Sequence, residues 1–285
     1  MSIIREIKKS LGWIIYAFRC LSWYFYFLKT RFLSQSKKWR VSEEWYKKGR
    51  VLLIAPHADD ELLSSYTLMK HCPNITVYYC GFTGTNHEEE NRRRREQEIM
   101  KVCSTLNVPM VNGKGTCSNL AEIINEYDIV VIPSIVDWHI EHRRVSYYLH
   151  DILNEAAIKP EIYSYSITVP NESQGAVIAN MMSKKEQYDK YALFYKAYHS
   201  QSFMPIFRFK INERINGQFI KAYAAETFMH YPFEEWCSKT SRIRDLEAKS
   251  DGSLLDLIKY VGEINNLRKV RKASRTFYAL FEQAS

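Results

Sequence analysis

Residues 51–56 read Val-Leu-Leu-Ile-Ala-Pro, an apolar run with no polar residue to face water on either side. A half-exposed strand would alternate; one without alternation must be covered on both faces, which implies a parallel sheet between layers of helices. The rest of the chain supplies the parts. Residues 75–82, 128–133 and 161–169 read as further strands, and residues 61–71, 88–106 and 145–157 as the helices between them. Strand–helix alternation of this kind builds βαβ units with right-handed crossovers, so the strands point their carboxyl ends to one edge. The expected fold class is α/β: a Rossmann-like, mostly parallel sheet with helices on both faces. Residues 183–201 read as a further helix, 207–221 as a hairpin around Asn216-Gly217, and 254–281 as one or two C-terminal helices.

Charge divides the chain unevenly. Residues 1–50 hold twelve Lys and Arg against three Glu, while residues 51–285 hold 28 basic against 29 acidic residues. The net charge of +8 therefore belongs to the N-terminal segment, and the near-neutral body carries no basic groove of the kind nucleic acid requires. Six cysteines without a Cys-x-x-Cys pair form no zinc ribbon or evident disulfide framework, which points to a reducing, cytoplasmic setting. No Gly-x-Gly-x-x-Gly or Walker loop is present, so neither a dinucleotide nor a nucleoside triphosphate is expected.

Residues 11–28 are almost continuously apolar and aromatic, with Arg19 at their centre and basic residues on both flanks. On a helical wheel Arg5, Lys8, Lys9, Gly12, Tyr16, Arg19, Tyr26 and Thr30 form one stripe. This predicts an N-terminal helix lying on an anionic membrane surface through residues 1–33, Arg snorkelling and aromatic rings at headgroup depth. The alternatives are a tilted single span and a helix covering an apolar face of the protein. Residues 34–41 read as a linker. The division expected is 1–45 for this helix and linker, 46–250 for a catalytic domain, and 251–285 for a C-terminal helical extension.

Two charged clusters follow two of the strands. Pro56-His57-Ala58-Asp59-Asp60-Glu61 closes the first, and Asp137-Trp138-His139-Ile140-Glu141-His142-Arg143 lies just beyond residues 128–133. His57, Asp60 and His142 would offer two imidazoles and one carboxylate, a set suited to one Zn²⁺ with an open position for water. Asp59, beside a ligand but pointing elsewhere, would take the proton from the attacking water, and Glu61 would begin the next helix. A structural alternative has Asp59 and Asp60 capping that helix and the histidines on a solvated turn. Two such clusters at the ends of two strands of one sheet favour the metal site.

Pro56-His57-Ala58-Asp59-Asp60-Glu61 resembles the P-H-P-D-D-E signature of the LmbE/PIG-L family of zinc-dependent de-N-acetylases, and His139-Ile140-Glu141-His142-Arg143 resembles its H-P-D-H-R segment. Thr83-Gly84, the Arg92–Glu96 run, Tyr198-His199-Ser200-Gln201 and Glu226-Thr227-Phe228 resemble its T-x-G, R-x-x-E, Ser-Gln and Glu-x-Phe elements, in order over residues 50–230. The resemblance implies zinc on His57, Asp60 and His142, Asp59 as general base, and a protonated His139 stabilising the oxyanion, oriented by Glu141. It implies Arg93 and Gln201 as substrate-binding residues. The implied reaction releases acetate and a free amine from an N-acetylglucosamine-type sugar, free, conjugated or lipid-linked. Ala58 and Glu141 depart from the family's proline and aspartate, and Thr83-Gly84 lacks the middle residue. A hydrolase of another N-acyl amide, or a noncatalytic sugar- or lipid-binding protein, would keep the same fold.

Overall fold

The computed structural model describes residues 2–33, 39–42, 45–83, 89–155, 159–168, 177–250, 257–258 and 261–282, with side chains described from residue 10 onward except those of residues 33, 261, 281 and 282. Its eight described strands are β1 (Arg40–Val41), β2 (Val51–Ala55), β3 (Ile75–Tyr79), β4 (Met110–Asn112), β5 (Ile129–Pro133), β6 (Glu161–Tyr165), β7 (Val177–Met182) and β8 (Ala224–Tyr231). They form one sheet in the order β1-β7-β8-β6-β5-β2-β3-β4. Every neighbouring pair is parallel except the two that β8 makes with β6 and β7.

The helices are α1 (Ser2–Leu33), α2 (Asp60–His71), α3 (Glu89–Leu106), α4 (Leu120–Ile123), α5 (Ile140–Glu155), α6 (Lys184–Ala197), α7 (Ile206–Phe219), α8 (Phe233–Lys249) and α9 (Leu267–Glu282). The α/β architecture is the one the strand–helix alternation predicts. Every residue of β2 and β5 is buried, as a sheet covered on both faces requires. Each Val, Leu or Ile so buried contributes about 1.5–3 kcal/mol. The strands β3 and β4 lie on one side of β2, and β5 and β6 on the other. The winding direction therefore reverses between β2 and β5, where a crevice opens beyond the carboxyl ends of both strands.

Residues 206–219 are helical, not the hairpin that Asn216-Gly217 predicts. A Cβ at Gly217 would stand 2.7 Å from the Cα of Ala224 and 2.8 Å from the carbonyl of Ala222. The glycine lets α7 lie against the start of β8 and does not make a turn. β7 and β8 themselves escape the sequence pattern, because Asn180, Met181, Ala224, Ala225 and Glu226 are weak strand formers. Pairing on both sides overrides that preference in β8.

Glu226 has a specific task there. α2 is broken at Ser65 (φ −139°, ψ 28°), and the Glu226 carboxylate accepts from the backbone N–H groups of Tyr66 (2.9 Å) and Thr67 (2.8 Å) on the far side of the break. Lys190 of α6, fully buried, donates to Glu226 (2.7 Å), to Glu213 of α7 (2.6 Å) and to the carbonyl of Leu63 (2.8 Å). Burial opposes the ammonium, but the two carboxylates outweigh it and raise the Lys190 pKa. One buried cation thus joins α2, α6, α7 and β8.

α1 is about 48 Å long. Its carboxyl-terminal half packs against α7 and the turn Val261–Asn265, with Trp23 fully buried and its indole N–H donating to the carbonyl of Asn265 (3.0 Å). Arg19 donates to the carbonyl of Gly262 (2.7 Å), and Thr30 to Gln218 (2.8 Å). Arg19, Tyr26 and Thr30 therefore turn toward the protein, whereas the wheel places that stripe at headgroup level. The side chains of Arg5, Lys8 and Lys9 lie outside the described residues. Within the reading of 34–41 as a linker, Arg40 and Val41 add an edge strand to β7.

Candidate metal centre

The loop between β2 and α2 is held by its own carboxylates. The backbone N–H of His57 donates to Oδ2 of Asp60 (2.8 Å), curling the loop so that both side chains face the crevice. Asp59, Asp60 and Glu61 are all buried. Glu61 is placed at the helix start, as predicted, but its carboxylate is fully buried against the Tyr198 hydroxyl and accepts the Asp59 N–H (3.2 Å). Burial pushes its pKa up to about 7 against those hydrogen bonds.

Beyond β5 the chain turns at Ser134, whose N–H donates to the carbonyl of Tyr165 (2.8 Å), and enters α5 at Ile140, five residues before the predicted start. His142 thus sits in the first turn of α5. Arg143 fastens this loop: its Nη1 donates to the carbonyls of Asp137 (2.8 Å) and Trp138 (2.9 Å), while Nε and Nη2 hold Glu247 of α8.

The two loops bring three donor atoms together. Nδ1 of His57 is 3.2 Å from Oδ2 of Asp60 and 3.1 Å from Nε2 of His142, which is itself 3.2 Å from Oδ2 of Asp60. Ligands at zinc distances in a tetrahedron lie ~3.3 Å apart, so the triangle has the size that such an ion needs. Two ring nitrogens face each other across it, an arrangement satisfied by a shared cation. His139 joins His57 and His142 in a group of potential ligands whose donor atoms lie within 4.8 Å of one another.

The electrostatics agree with that geometry. Burial would raise the pKa of Asp60, but His142 and His57 outweigh it and hold the carboxyl far below its usual range. Asp59 goes the other way, raised by burial first and then by Asp60 and Glu61, with Arg95 opposing. Its backbone stands at φ 121°, a region that few non-glycine residues occupy.

Glu141 is 2.6 Å from Nε2 of His57 and 3.9 Å from Nδ1 of His139. Its longer arm reaches past His139 to the imidazole that shares the triangle. His139 accepts the N–H of Glu141 at Nδ1 (3.3 Å), which leaves the proton on Nε2. Burial, then the neighbouring His57 and His142, push its pKa down to about 3. Burial and the neighbouring imidazoles thus disfavour the protonated form that the family resemblance implies.

Asp137 is the residue that sequence reading left without a role. It is 3.4 Å from Nδ1 of His142, and its other oxygen accepts from the N–H of His139 (3.1 Å) and the hydroxyl of Thr168 (2.8 Å). A carboxylate behind a histidine that faces a metal is the usual means of fixing that ring, and its place in the second cluster was the available signal.

The substrate candidates separate. Gln201 is buried, and with its amide oxygen turned toward Arg95 it accepts from both terminal guanidinium nitrogens at 3.1 Å. Arg93 lies on the outer face of α3, its side chain 73% exposed and bonded to Glu89 (3.2 Å). The R-x-x-E spacing also fits Arg95 and Glu98, and Glu98 accepts the N–H of Ser200 (2.8 Å). That second pair is tied to Gln201 and Ser200, whereas Arg93 is bonded to Glu89. Gly84 lies outside the described residues.

No family model matches the sequence, and no curated protein matches it. Solved structures do. Teicoplanin deacetylase in its zinc-inhibited form is 12% identical with a TM-score of 0.51, over 64% of this chain and 97% of that one. A deacetylase–teicoplanin complex is 14% identical with a TM-score of 0.52 over the same shares. The N,N'-diacetylchitobiose deacetylase of Pyrococcus horikoshii, bound to an inhibitor, is 14% identical with a TM-score of 0.53, over 68% of this chain and 88% of that one. This chain has the fold of these deacetylases. The likeness of fold and the resemblance carried by the motifs agree.

Proposed function

We propose that the protein is a zinc-dependent hydrolase that removes the acetyl group from the amide nitrogen of an N-acetylated sugar, releasing acetate and a free amine. The observation that carries this reading is the triangle of His57 Nδ1, Asp60 Oδ2 and His142 Nε2 with edges of 3.1–3.2 Å, at the switch point of the sheet. His57, Asp60 and His142 would hold one zinc ion, which would supply Lewis acidity enough to polarise a carbonyl and to lower the pKa of water to ~7. Asp59 takes the proton of the attacking water, its position beside Asp60 placing a base next to the ligand set without using it as a ligand. His139 donates its Nε2–H to the developing oxyanion as a neutral imidazole. Glu141 orients His57, and Asp137 orients His142. Arg95, whose charge acts on Asp59, and Gln201, which accepts from that guanidinium, hold the sugar. Deacetylases of the same fold that act on teicoplanin and diacetylchitobiose support an acetylated sugar as substrate.

The apolar face of α1 supports a peripheral position on a membrane, where a lipid-linked form of the sugar would be met. The test is acetate release by the zinc-loaded protein from a panel of free, nucleotide-linked and lipid-linked N-acetylhexosamines. Release from one class, abolished in Asp59→Asn, is the expected result. Folded, zinc-loaded protein that releases no acetate from any of them would sink the proposal.

A further inference from the structure

An open groove lies away from the metal centre, between α1 and α9. It has a volume of about 910 Å³ and is lined by Ile15, Phe18, Arg19 and Ser22 on the α1 side and by residues between Leu267 and Thr276 of α9 on the other. Five cations line it: Arg19, Arg268, Arg271, Lys272 and Arg275. No described lining residue is acidic. Asn266 and Leu267, at the amino end of α9, also line it, so the helix adds the positive end of its dipole to the same space. A groove with Ile15 and Phe18 beside Arg19 on the α1 side and four cations on the α9 side suits an anion with an apolar attachment.

The surface beside the groove has matching character. Leu11, Ile14, Phe18, Leu21, Phe25 and Phe32 fall on one arc of α1 at helical spacing, and all are exposed, Phe18 at 66% and Phe25 at 64%. Residues Ser10–Phe32 are long and apolar enough to cross a membrane by length and composition. The docking of the helix argues against a span. Only residues 11–22 of the apolar run precede the fully buried Trp23. They reach ~18 Å, little more than half of a hydrocarbon core. A helix held by the body along its second half can present this arc only by lying in the plane of the interface.

We propose that the groove between α1 and α9 binds the phosphate headgroup of an anionic membrane lipid, with the apolar arc of α1 inserted among the acyl chains beside it. The proposal rests on the membrane-facing reading of α1 and is independent of the reaction at the metal centre. The groove sets the orientation of the protein on the bilayer, since headgroup and arc must be engaged together.

The test is co-sedimentation of the full-length protein with vesicles of neutral phosphatidylcholine, and of phosphatidylcholine with phosphatidic acid, without any sugar substrate. Three proteins are compared: the unaltered chain, Arg268→Glu with Lys272→Glu at the exposed rim of the groove, and Lys184→Glu with Lys196→Glu on α6. The urea midpoints of all three establish that each is folded. Binding of the unaltered chain should rise about tenfold or more with phosphatidic acid, the α9 pair should lose that rise, and the α6 pair should keep it. Equal loss in both pairs would overturn the groove in favour of diffuse surface charge. Equal binding to neutral and anionic vesicles would overturn the headgroup while keeping apolar insertion. Absence of binding to either vesicle would overturn the membrane reading as well. None of these outcomes bears on acetate release, which fails or succeeds separately.

Discussion

Asp59 holds its carboxyl buried at a backbone angle of φ 121°, ψ −22°, a conformation that costs of order 1–3 kcal/mol and persists only where surroundings enforce it. Its raised pKa comes first from burial and then from Asp60 and Glu61, the two carboxylates that follow it. Asp59→Asn is expected to keep metal and lose about 10²–10⁴ in turnover. Asp59→Gly should be inactive yet at least as stable in urea, because glycine relieves the backbone. His142→Ala should lose the metal by elemental analysis; full occupancy would remove His142 from the ligand set. His139 offers a sharper distinction. A neutral donor predicts that His139→Ala lowers kcat by about 10²–10³ while His139→Gln, which retains an N–H, recovers part of it. If an imidazolium were needed, the glutamine would be no better than alanine. A neutral His139, the form its downward pKa shift favours, predicts no decline of kcat from this residue as pH rises through 6–8.

Elements assembled from distant parts of the chain carry the features that sequence did not announce. β2 and β5 were legible because unbroken apolar runs admit few alternatives, and the clusters after them because both follow strands whose ends share one edge. β8 was not, since its pairing with β6 and β7 supplies what Ala224, Ala225 and Glu226 lack in strand preference. Asn216-Gly217 misled for a local reason: the same dipeptide that favours a hairpin here admits β8 against a helix. Gly217→Val is expected to destabilise by about 1–3 kcal/mol, the range for overpacking, read as a lower urea midpoint with unchanged slope. Arg95 was hidden by repetition, as four consecutive arginines leave the R-x-x-E spacing two registers to fit. Lys190 had no sequence signal at all, its partners being Glu213, Glu226 and the carbonyl of Leu63. Lys190→Met should cost about 3–5 kcal/mol, because it leaves two carboxylates buried together and frees the break in α2.

Across the whole molecule α1 belongs to two environments at once. One face contributes to the core, with Trp23 under the Arg208 guanidinium (5.3 Å), and Arg208 in turn holds the carbonyls of Ile167 and Thr168. Thr168 bonds Asp137, which backs His142, so the docked helix and the metal centre share one chain of contacts. The charge division between residues 1–50 and the rest predicts a detachable anchor; the packing of Trp23 makes that division a surface property only. Deleting residues 1–33 should therefore lower stability by at least the ~3–5 kcal/mol of a lost buried Trp, and Trp23→Ala alone should reproduce that range. Phe18→Ser with Phe25→Ser removes exposed apolar surface and should shift stability by no more than about 0.5 kcal/mol. Urea unfolding of the four proteins separates the two faces. If the deleted chain unfolds at the same midpoint as the full chain, the contacts of Trp23 contribute nothing and α1 is an appendage. If the Phe pair unfolds as early as Trp23→Ala, the outer arc is part of the core and has no free face to offer a bilayer.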